Sequence, residues 1–184
     1  MKVGLFFGTF NPIHCGHISI SNQILSNTNV EKIWMIISPQ SPNKEKNKIL
    51  EKNLRFKMMN RALKKYNNIM PSKVEFNMDI PNYTYKTLIK LVNEYPQNEF
   101  VIIMGEDNYL SLETWIKSNY IKNNFEIIVY PRNKNSIDKL FFDGELLDFS
   151  SKQIREKIKS GKKVSGMVPD EVEKEIIKNG YYIR

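Results

Sequence analysis

The chain has 184 residues, with 28 lysines and arginines against 20 aspartates and glutamates, which gives a formal net charge of +8. Its composition, 41% hydrophobic and 26% charged, is that of an ordinary globular chain, and the length predicts one domain rather than several. No apolar run approaches the roughly 18 residues that a bilayer-spanning helix needs, and the first residues lead into a polar loop without a cleavage signature, so we expect neither a membrane protein nor a secreted one.

The single cysteine and the spread of the charges bear on compartment and partners. Cys15 alone cannot form an internal disulfide or a cysteine metal site, which favours a reducing, cytoplasmic location. The positive charges lie along the whole chain and form no long block, as on a solvated surface. We therefore expect no nucleic-acid partner, and a basic nucleic-acid-binding domain is kept as the non-enzymatic alternative.

Five short apolar runs, each bounded by Pro, Gly or Asn, have the pattern of strands buried on both faces of a parallel sheet. They are Val3–Phe7, Ile33–Ile37, Val74–Phe76, Phe100–Met104 and Phe125–Tyr130. Helical spacing of apolar residues fills the intervals, including a predicted helix over Leu112–Ile121. This alternation predicts an α/β fold with a doubly wound, mostly parallel sheet, which binds ligands at the carboxyl ends of its strands.

The C-terminal part of the chain predicts a helical extension. Ser150 and Ser151 precede a short amphipathic helix that ends at Ser160–Gly161, and Pro169–Lys178 opens with acidic residues that suit a helix start. No linker or internal repeat separates these helices from the rest, so the extension belongs to the same predicted domain.

The segment between the first predicted strand and the first helix reads Gly8-Thr9-Phe10-Asn11-Pro12-Ile13-His14-Cys15-Gly16-His17. A glycine at a strand end lets a ligand approach the backbone, and the free N–H groups of the following helix start favour an anion. The chain's two histidines, His14 and His17, add hydrogen-bond donors at the same point. This turn is therefore a candidate phosphate site.

Other interpretations of the turn have less support. A metal site on His14 and His17 lacks a nearby third ligand, and a histidine beside a helix start is often only a cap. No Walker lysine and no Gly-x-Gly-x-x-Gly pattern is present, which argues against a P-loop and a dinucleotide fingerprint.

Residues 8–17, Gly-Thr-Phe-Asn-Pro-Ile-His-x-Gly-His, resemble the signature of the nucleotidyltransferase superfamily, whose members transfer a nucleotidyl group from a nucleoside triphosphate and release pyrophosphate. Residues 149–155, Phe-Ser-Ser-Lys-Gln-Ile-Arg, resemble its second motif, Ile-Ser-Ser-Thr-x-Ile-Arg, which opens a helix and binds the triphosphate. Together the motifs imply a Rossmann-like nucleotidyltransferase fold in a single domain, residues 1–184.

The middle of the chain is similar to one family of this superfamily, the nicotinate-nucleotide adenylyltransferases. Residues 82–88 are similar to their Ser-Tyr-Thr-x-x-Thr-Leu segment, and Gly105-Glu106-Asp107 with Thr114-Trp115 resembles their Gly-x-Asp and Thr-Trp positions. Phosphopantetheine adenylyltransferases share the first motif but not this middle, and they remain the alternative. The reaction implied joins ATP and nicotinate mononucleotide into nicotinate adenine dinucleotide, releasing pyrophosphate, with Mg²⁺ carried by the ATP phosphates.

The resemblance also implies roles for single residues. The implied catalytic residues are His14, His17 and Arg155. ATP binding is implied for Gly8, Thr9, Phe10, His14, His17, Lys44, Gly105, Asp107, Ser150, Ser151 and Arg155, with Lys46 and Lys48 as possible substitutes for Lys44. Mononucleotide binding is implied for Asn11, Tyr83, Thr84, Thr87, Trp115 and Arg132. No residue is assigned to a protein-held metal ion, and a homo-oligomer is left open.

General chemistry supports some of these roles and leaves alternatives open. A pyridine ring needs a flat aromatic surface, which Trp115 offers, although a tryptophan is by default a core residue. Thr84 and Asp107 can each bind a ligand or simply cap a helix. The departures from the family patterns concern the phosphates, and they are Asn11 in place of an aspartate, Asn43 in place of a loop histidine and Lys152 in place of a threonine.

Overall fold

A parallel β-sheet forms the centre of the computed structural model, which describes residues 1–39, 49–131 and 149–183. Within these residues the strands are β1 (Lys2–Gly8), β2 (Lys32–Ile37), β3 (Ile69–Ser72), β4 (Glu99–Gly105) and β5 (Glu126–Tyr130). They lie in the order β3-β2-β1-β4-β5, and every neighbouring pair is parallel. The predicted α/β class is confirmed.

Strand β1 occupies the middle of the sheet because it is apolar on both faces. Val3 and Leu5 are buried in one hydrophobic cluster, and Phe6 is buried in the other. The strand pairs with β2 on one side, where Gly8 aligns with Ile37, and with β4 on the other. The chain thus leaves β1 in one direction and returns on its other side, which opens a crevice at the carboxyl ends of β1 and β4.

Helices cover both faces of this sheet. They are α1 (Cys15–Asn27), α2 (Lys52–Leu63), α3 (Thr84–Glu94), α4 (Glu106–Leu110), α5 (Ser118–Asn124), α6 (Ser151–Lys159) and α7 (Asp170–Asn179). Apolar residues of α1, α2, α6 and α7 share one cluster with Phe6 and Met35. Those of α3 and α5 share the other cluster with Val3 and Ile102. The fold is therefore doubly wound, as predicted.

The third strand differs from the sequence prediction. It is Ile69–Ser72, whereas Val74–Phe76, the predicted strand, forms a turn. Strand β3 lies at the sheet edge, and Pro71 is tolerated there because one side of an edge strand needs no partner. Phe76 is buried even though it lies in a turn, so apolar content alone misled the prediction.

The predicted helix over Leu112–Ile121 is also wrong. Leu112–Thr114 form a short 3-10 turn, and α5 begins only at Ser118. Between them Trp115 is extended and Lys117 has a φ of 61°, a left-handed conformation that interrupts the helix. Both ends of the segment still contribute to one cluster, which explains why their spacing looked helical.

The C-terminal extension is helical, as predicted. Gly180 has a φ of 64° and ends α7 in the left-handed conformation that favours glycine. Helix α7 packs on α2, where the buried Glu175 forms ion pairs with Arg61 and Lys57. None of the helices in the described ranges is long and apolar enough to cross a membrane.

Candidate active site

The turn between β1 and α1 lies at the crevice, where the sequence predicts it. Phe10 is buried and has a φ of 45°, a conformation that a bulky residue adopts only where the surrounding packing enforces it. The Phe10 ring lies so close to Gly8 that a Cβ on Gly8 would be 3.1 Å from it. A larger residue at position 8 would require the Phe10 ring to move by a few tenths of an ångström.

The two histidines of the turn stack on each other. Their ring centroids are 3.6 Å apart, and Nδ1 of His17 accepts a hydrogen bond from the His14 backbone N–H at 3.2 Å. Because a backbone N–H can only donate, Nδ1 of His17 is the unprotonated nitrogen, and the proton lies on Nε2. The first turn of α1 thus fixes both the ring and the tautomer of His17.

The spacing His-x-Gly-His follows from this packing. A Cβ on Gly16 would lie only 3.0 Å from Nδ1 of His14, so a larger residue would displace the ring. His14 also meets the ring of Phe149 edge to face at 5.5 Å, and His17 meets Phe10 in the same way at 4.9 Å. These contacts with Phe10, Gly16 and Phe149 fix the orientation of both imidazole rings, so their N–H donors are preorganised.

Helix α6 begins with the cap that the sequence predicts. The Ser150 hydroxyl accepts a hydrogen bond from the Gln153 N–H at 3.3 Å, and the Gln153 side chain accepts one from the Ser150 N–H at 2.6 Å. This reciprocal capping box fixes the start of the helix. A direct contact of Ser150 with ATP stays a prediction.

Residues of α6 bond directly to the histidine turn. The Ser151 hydroxyl donates to the carbonyl of Pro12 at 2.9 Å, and the Arg155 guanidinium donates to the carbonyl of Asn11 at 2.7 Å. Asn11 itself is buried, and its side-chain oxygen accepts a hydrogen bond from the Leu50 N–H at 3.1 Å. The structure therefore joins the two sequence motifs, which lie about 140 residues apart, into one site.

The neighbouring strand ends complete this edge of the sheet. The Ser38 N–H donates to the carbonyl of Gly8 at 2.9 Å, so the turn after β2 is fastened to the end of β1. Gly105 caps α4 at the end of β4, and Asp107 is exposed in the first turn of that helix. Both lie at the crevice, where the role predicted for Asp107 requires it to be.

Two of the predicted acceptor positions, the start of α3 and Trp115, lie near the other hydrophobic cluster, whereas Asn11 is buried in the histidine turn. No described side chain caps α3, which begins at Thr84 after the N-cap Tyr83. Trp115 is half-buried and packs against the same cluster as Tyr85, a side chain of the first turn of α3. The start of α3 and Trp115 therefore lie on one face of the sheet, as a shared mononucleotide site requires.

Thr87 lies on α3, but unlike Tyr83 and Thr84 at the start of the helix it does not have a partly exposed side chain. It is fully buried, and its hydroxyl donates to the Glu75 carboxylate at 2.9 Å. Burial raises the pKa of Glu75, and hydrogen bonds from the Thr87 and Ser38 hydroxyls act in the opposite direction. Thr87 therefore binds α3 to the turn after β3 and offers no exposed hydroxyl to a ligand.

Some predicted site residues lie outside the described ranges. They are Asn43, Lys44, Lys46, Lys48 and Arg132. Their assignments stay predictions from the sequence.

Sequence reasoning missed Arg55, the largest fully buried side chain that carries a charge. Its guanidinium is 1% exposed and donates to the carbonyls of Thr9, Ser38, Pro39 and Leu50. A signal was present, because Arg55, Met58, Met59 and Ala62 follow the spacing of one helix face and the last three are buried. An arginine in such a stripe indicates a buried cation.

Comparison with known proteins agrees with this architecture. A family described as cytidylyltransferase-like matches residues 5–161 of the chain. A probable nicotinate-nucleotide adenylyltransferase from Flavobacterium psychrophilum is 39% identical, and the alignment covers 99% of each protein. The chain belongs to the nicotinate-nucleotide adenylyltransferase family. A second relative of the same description, from Christiangramia forsetii, is 38% identical over 98% of both chains.

Solved structures of this family have the same fold. A Plasmodium falciparum nicotinic acid mononucleotide adenylyltransferase, solved in complex with NaAD, gives a TM-score of 0.80 at 19% identity and covers 98% of this chain. A putative nicotinate-nucleotide adenylyltransferase from Vibrio parahaemolyticus gives 0.76 at 22% identity and covers the whole chain. The predicted Rossmann-like nucleotidyltransferase fold is therefore confirmed.

Proposed function

We propose that the chain transfers the adenylyl group of ATP to nicotinate mononucleotide, giving nicotinate adenine dinucleotide and pyrophosphate in NAD biosynthesis. The observation that carries this proposal is the joining of the histidine turn to α6 through Ser151 and Arg155 at the carboxyl end of β1. Membership of the nicotinate-nucleotide adenylyltransferase family supports the choice of substrates.

The chemistry needs no covalent intermediate. The 5′-phosphate of the mononucleotide is an anion that attacks the α-phosphorus of ATP in line. The new P–O bond forms while the bond to the bridging oxygen of pyrophosphate breaks, and the electron pair of that bond leaves with pyrophosphate. The task of the protein is to align two anions and to stabilise the charge that moves onto the leaving group.

His17 is the residue best placed to stabilise that charge. Its Nδ1 accepts the hydrogen bond from the His14 N–H, so Nε2–H is the ring donor that we assign to a phosphate oxygen. The stacked ring of His14, 3.6 Å away, prevents the imidazole from turning. A donor fixed before the reaction needs no reorganisation as charge develops, and its contribution is greatest in the transition state.

Arg155 holds the triphosphate from the side of α6. One of its N–H groups binds the Asn11 carbonyl, and the planar guanidinium carries four further N–H donors. In this proposal they bind the β and γ phosphates, because the paired N–H groups of a guanidinium match pairs of phosphate oxygens. Asp107, exposed in the first turn of α4, accepts hydrogen bonds from the ribose hydroxyls of ATP in this arrangement.

The acceptor binds at the start of α3 and at Trp115. The backbone N–H groups of an uncapped helix start attract a carboxylate, which is the group that distinguishes nicotinate from other acceptors of the superfamily. The half-buried indole of Trp115 offers a face on which the pyridine ring stacks. The helix start thus recognises the carboxylate of nicotinate by its charge, and Trp115 recognises the pyridine ring by stacking.

In this proposal Mg²⁺ is bound by the phosphates of ATP rather than by the protein. The described residues contain no group of three His, Cys, Asp or Glu side chains that could hold a metal ion, and the triphosphate oxygens are ligands that Mg²⁺ favours. When bound there, the ion adds positive charge beside the leaving pyrophosphate.

Pyrophosphate release tests the proposal directly. The chain is incubated with ATP and, in separate reactions, with nicotinate mononucleotide, its amide or phosphopantetheine, and a further reaction pairs CTP with sugar phosphates. We expect the fastest release with nicotinate mononucleotide. Release only with phosphopantetheine would contradict the acceptor, and salt-sensitive retention on a polyanion with no turnover would indicate a nucleic-acid-binding protein instead.

A further inference from the structure

We propose that Arg55 is a positioning residue for the triphosphate site, because its buried guanidinium fixes the turns after β1 and β2 relative to each other. This inference rests on the proposed adenylyl transfer and adds a residue to its machinery. Arg55 does not touch the reacting atoms, and it acts through the backbone of the histidine turn.

The guanidinium binds four carbonyls from three segments of the chain. Its Nε donates to the carbonyl of Leu50 at 2.7 Å, and its Nη2 donates to that of Pro39 at 2.9 Å. Its Nη1 donates both to the carbonyl of Ser38 at 2.9 Å and to that of Thr9. A rigid planar fork with donors in fixed directions can satisfy this set, whereas the single ammonium of a lysine cannot reach all four.

The bond to Thr9 bears on the most strained point of the turn. The carbonyl of Thr9 belongs to the peptide unit that leads into Phe10, whose φ is 45°. In a trans peptide the N–H points opposite to the C=O, so this bond also directs the Phe10 N–H away from the guanidinium. Losing the bond would free a residue that is held in an unfavourable conformation and lies four positions before His14.

The bonds to the residues that follow β2 also hold the histidine turn in place. The Ser38 N–H already donates to the Gly8 carbonyl, and Arg55 bridges the Ser38 and Thr9 carbonyls. The ends of β1 and β2 are therefore joined twice, once through the backbone and once through the side chain. A phosphate site built from these turns keeps its shape only while both links hold.

The charge of Arg55 also favours an anion at this place. Burial lowers its pKa to about 10, and the field of Glu51 partly opposes that shift, so the group remains charged at neutral pH. Its described hydrogen bonds end on neutral carbonyls, so none of them cancels its charge. A buried cation behind the turn raises the potential on the face where the triphosphate binds.

The Tyr182 hydroxyl is buried near both Arg55 and Arg155. Burial raises the pKa of the Tyr182 phenol, and the positive charges of Arg55 and Arg155 both act against that increase. The phenol therefore lies within the field of both guanidiniums. Arg55 and Arg155 each bond to a carbonyl of the histidine turn, those of Thr9 and Asn11, so the turn has two cations next to it, which suits a triphosphate.

Three variants separate positioning from a purely structural role. Arg55→Met removes the charge and all four bonds, and Arg55→Lys keeps the charge with fewer bonds. Arg61→Met is the matched control, because Arg61 lies on the same helix but its side chain pairs with Glu175 of α7 and not with the histidine turn. For each protein, the melting temperature, the KM of each substrate and kcat are measured, together with the affinity for a non-hydrolysable ATP analogue.

We expect Arg55→Met to lower kcat/KM for ATP by about a hundredfold while the KM for nicotinate mononucleotide changes by less than about twofold. Arg55→Lys should recover part of the ATP effect, and Arg61→Met should lose stability with both KM values unchanged. ATP kinetics like those of the unaltered protein in folded Arg55→Met or Arg55→Lys would overturn the proposal. So would a loss that affects both substrates equally, as expected for partial unfolding.

Failure of the proposed function gives a different result. If the unaltered protein makes no dinucleotide, adenylyl transfer is wrong whatever the variants do. The ATP-analogue titration still decides the role of Arg55, because weaker binding in Arg55→Lys than in Arg61→Met supports positioning of a triphosphate site and equal binding contradicts it.

Discussion

In the phosphate half of the candidate site, segments far apart in the chain bond directly to one another, whereas the described side chains of the acceptor half, at the start of α3 and at Trp115, are partly exposed. Ser151, Arg155 and Arg55 all bond to carbonyls of the histidine turn. In the acceptor half the rings of Tyr83 and Tyr85 are 6.3 Å apart on one helix turn, and Trp115 is half-buried.

The surroundings of the acceptor half show the same contrast. Leu110 and Ile116 are 72% and 50% exposed on either side of the 3-10 turn that precedes Trp115. Covering exposed apolar surface of this kind with a ligand lowers the free energy and so favours binding. The comparison therefore predicts that substitutions in the phosphate half lower kcat, and that those in the acceptor half mainly raise the KM of the mononucleotide.

The largest expected effect is that of His17→Ala. Removing one preorganised donor to a developing phosphate charge costs about 3 kcal/mol, so kcat should fall by about a hundredfold or more. Steady-state kinetics at saturating substrates check this. Near-normal turnover in a folded His17→Ala protein would contradict the role of His17.

Two further variants at the same position separate the donor from the helix cap. An asparagine at position 17 can accept the His14 N–H as Nδ1 does, yet it does not reach the place of Nε2. A glutamine reaches that place with its amide N–H. We expect His17→Asn to fold and be nearly inactive, and His17→Gln to be the more active of the two.

An intermediate effect is expected for Trp115→Ala. Loss of the stacking surface should raise the KM for nicotinate mononucleotide about tenfold, equivalent to about 1.4 kcal/mol, while the KM for ATP stays within about twofold. Trp115→Phe should retain most of the affinity.

The chain's other tryptophan serves as the control for this prediction. Trp34 lies on β2 and packs against Tyr95 and Phe100 at ring distances of 5.0 and 5.8 Å. Trp34→Ala should lower the melting temperature and leave the ratio of the two KM values unchanged. If Trp115→Ala behaves in the same way, Trp115 is a core residue and the acceptor assignment loses its aromatic support.

The smallest effect concerns the buried Glu75, which fastens α3 to the turn after β3. Its pKa is raised above the ordinary 4.5, so the folded state favours the protonated form and the carboxylate costs stability at neutral pH. Glu75→Gln should therefore raise the melting temperature at neutral pH, and the difference should shrink as the pH falls through the raised pKa of Glu75 and toward 4.5.

The same substitution at Glu175 should have the opposite sign. Glu175 is also buried, but it pairs with Arg61 and Lys57, so its neutral replacement removes two ion pairs. Thermal melts across pH compare the two variants. A Glu75→Gln protein that is less stable than the original at neutral pH would contradict the raised pKa.

The parts that the sequence predicted well are those where local pattern and fold agree. The histidine turn, the Ser150 cap and four of the five predicted strands follow from short motifs whose residues act on their neighbours. The sequence places β3 at Val74–Phe76 because Val74 is partly buried and Phe76 is buried, although both lie in a turn, and periodicity does not distinguish such a turn from a strand.

The parts that it missed depend on contacts between distant segments. Arg55 binds backbone carbonyls up to 46 residues away. Every residue has a backbone carbonyl, so the amino-acid sequence does not indicate which of them Arg55 binds. The partner of Thr87 is a carboxylate 12 residues earlier, whose burial follows only from the position of β3. Resemblance to a motif names Thr87 as a ligand residue, and the structure adds a bond to Glu75 that the sequence does not indicate.

Isotope labelling of the acceptor tests the central claim, transfer of the adenylyl group of ATP to the phosphate of nicotinate mononucleotide. Nicotinate mononucleotide labelled with ¹⁸O in its phosphate is incubated with ATP and the protein, and the products are resolved by mass spectrometry. We expect all of the label in nicotinate adenine dinucleotide and none in pyrophosphate. Label in pyrophosphate, or AMP released in place of the dinucleotide, would contradict adenylyl transfer to this acceptor.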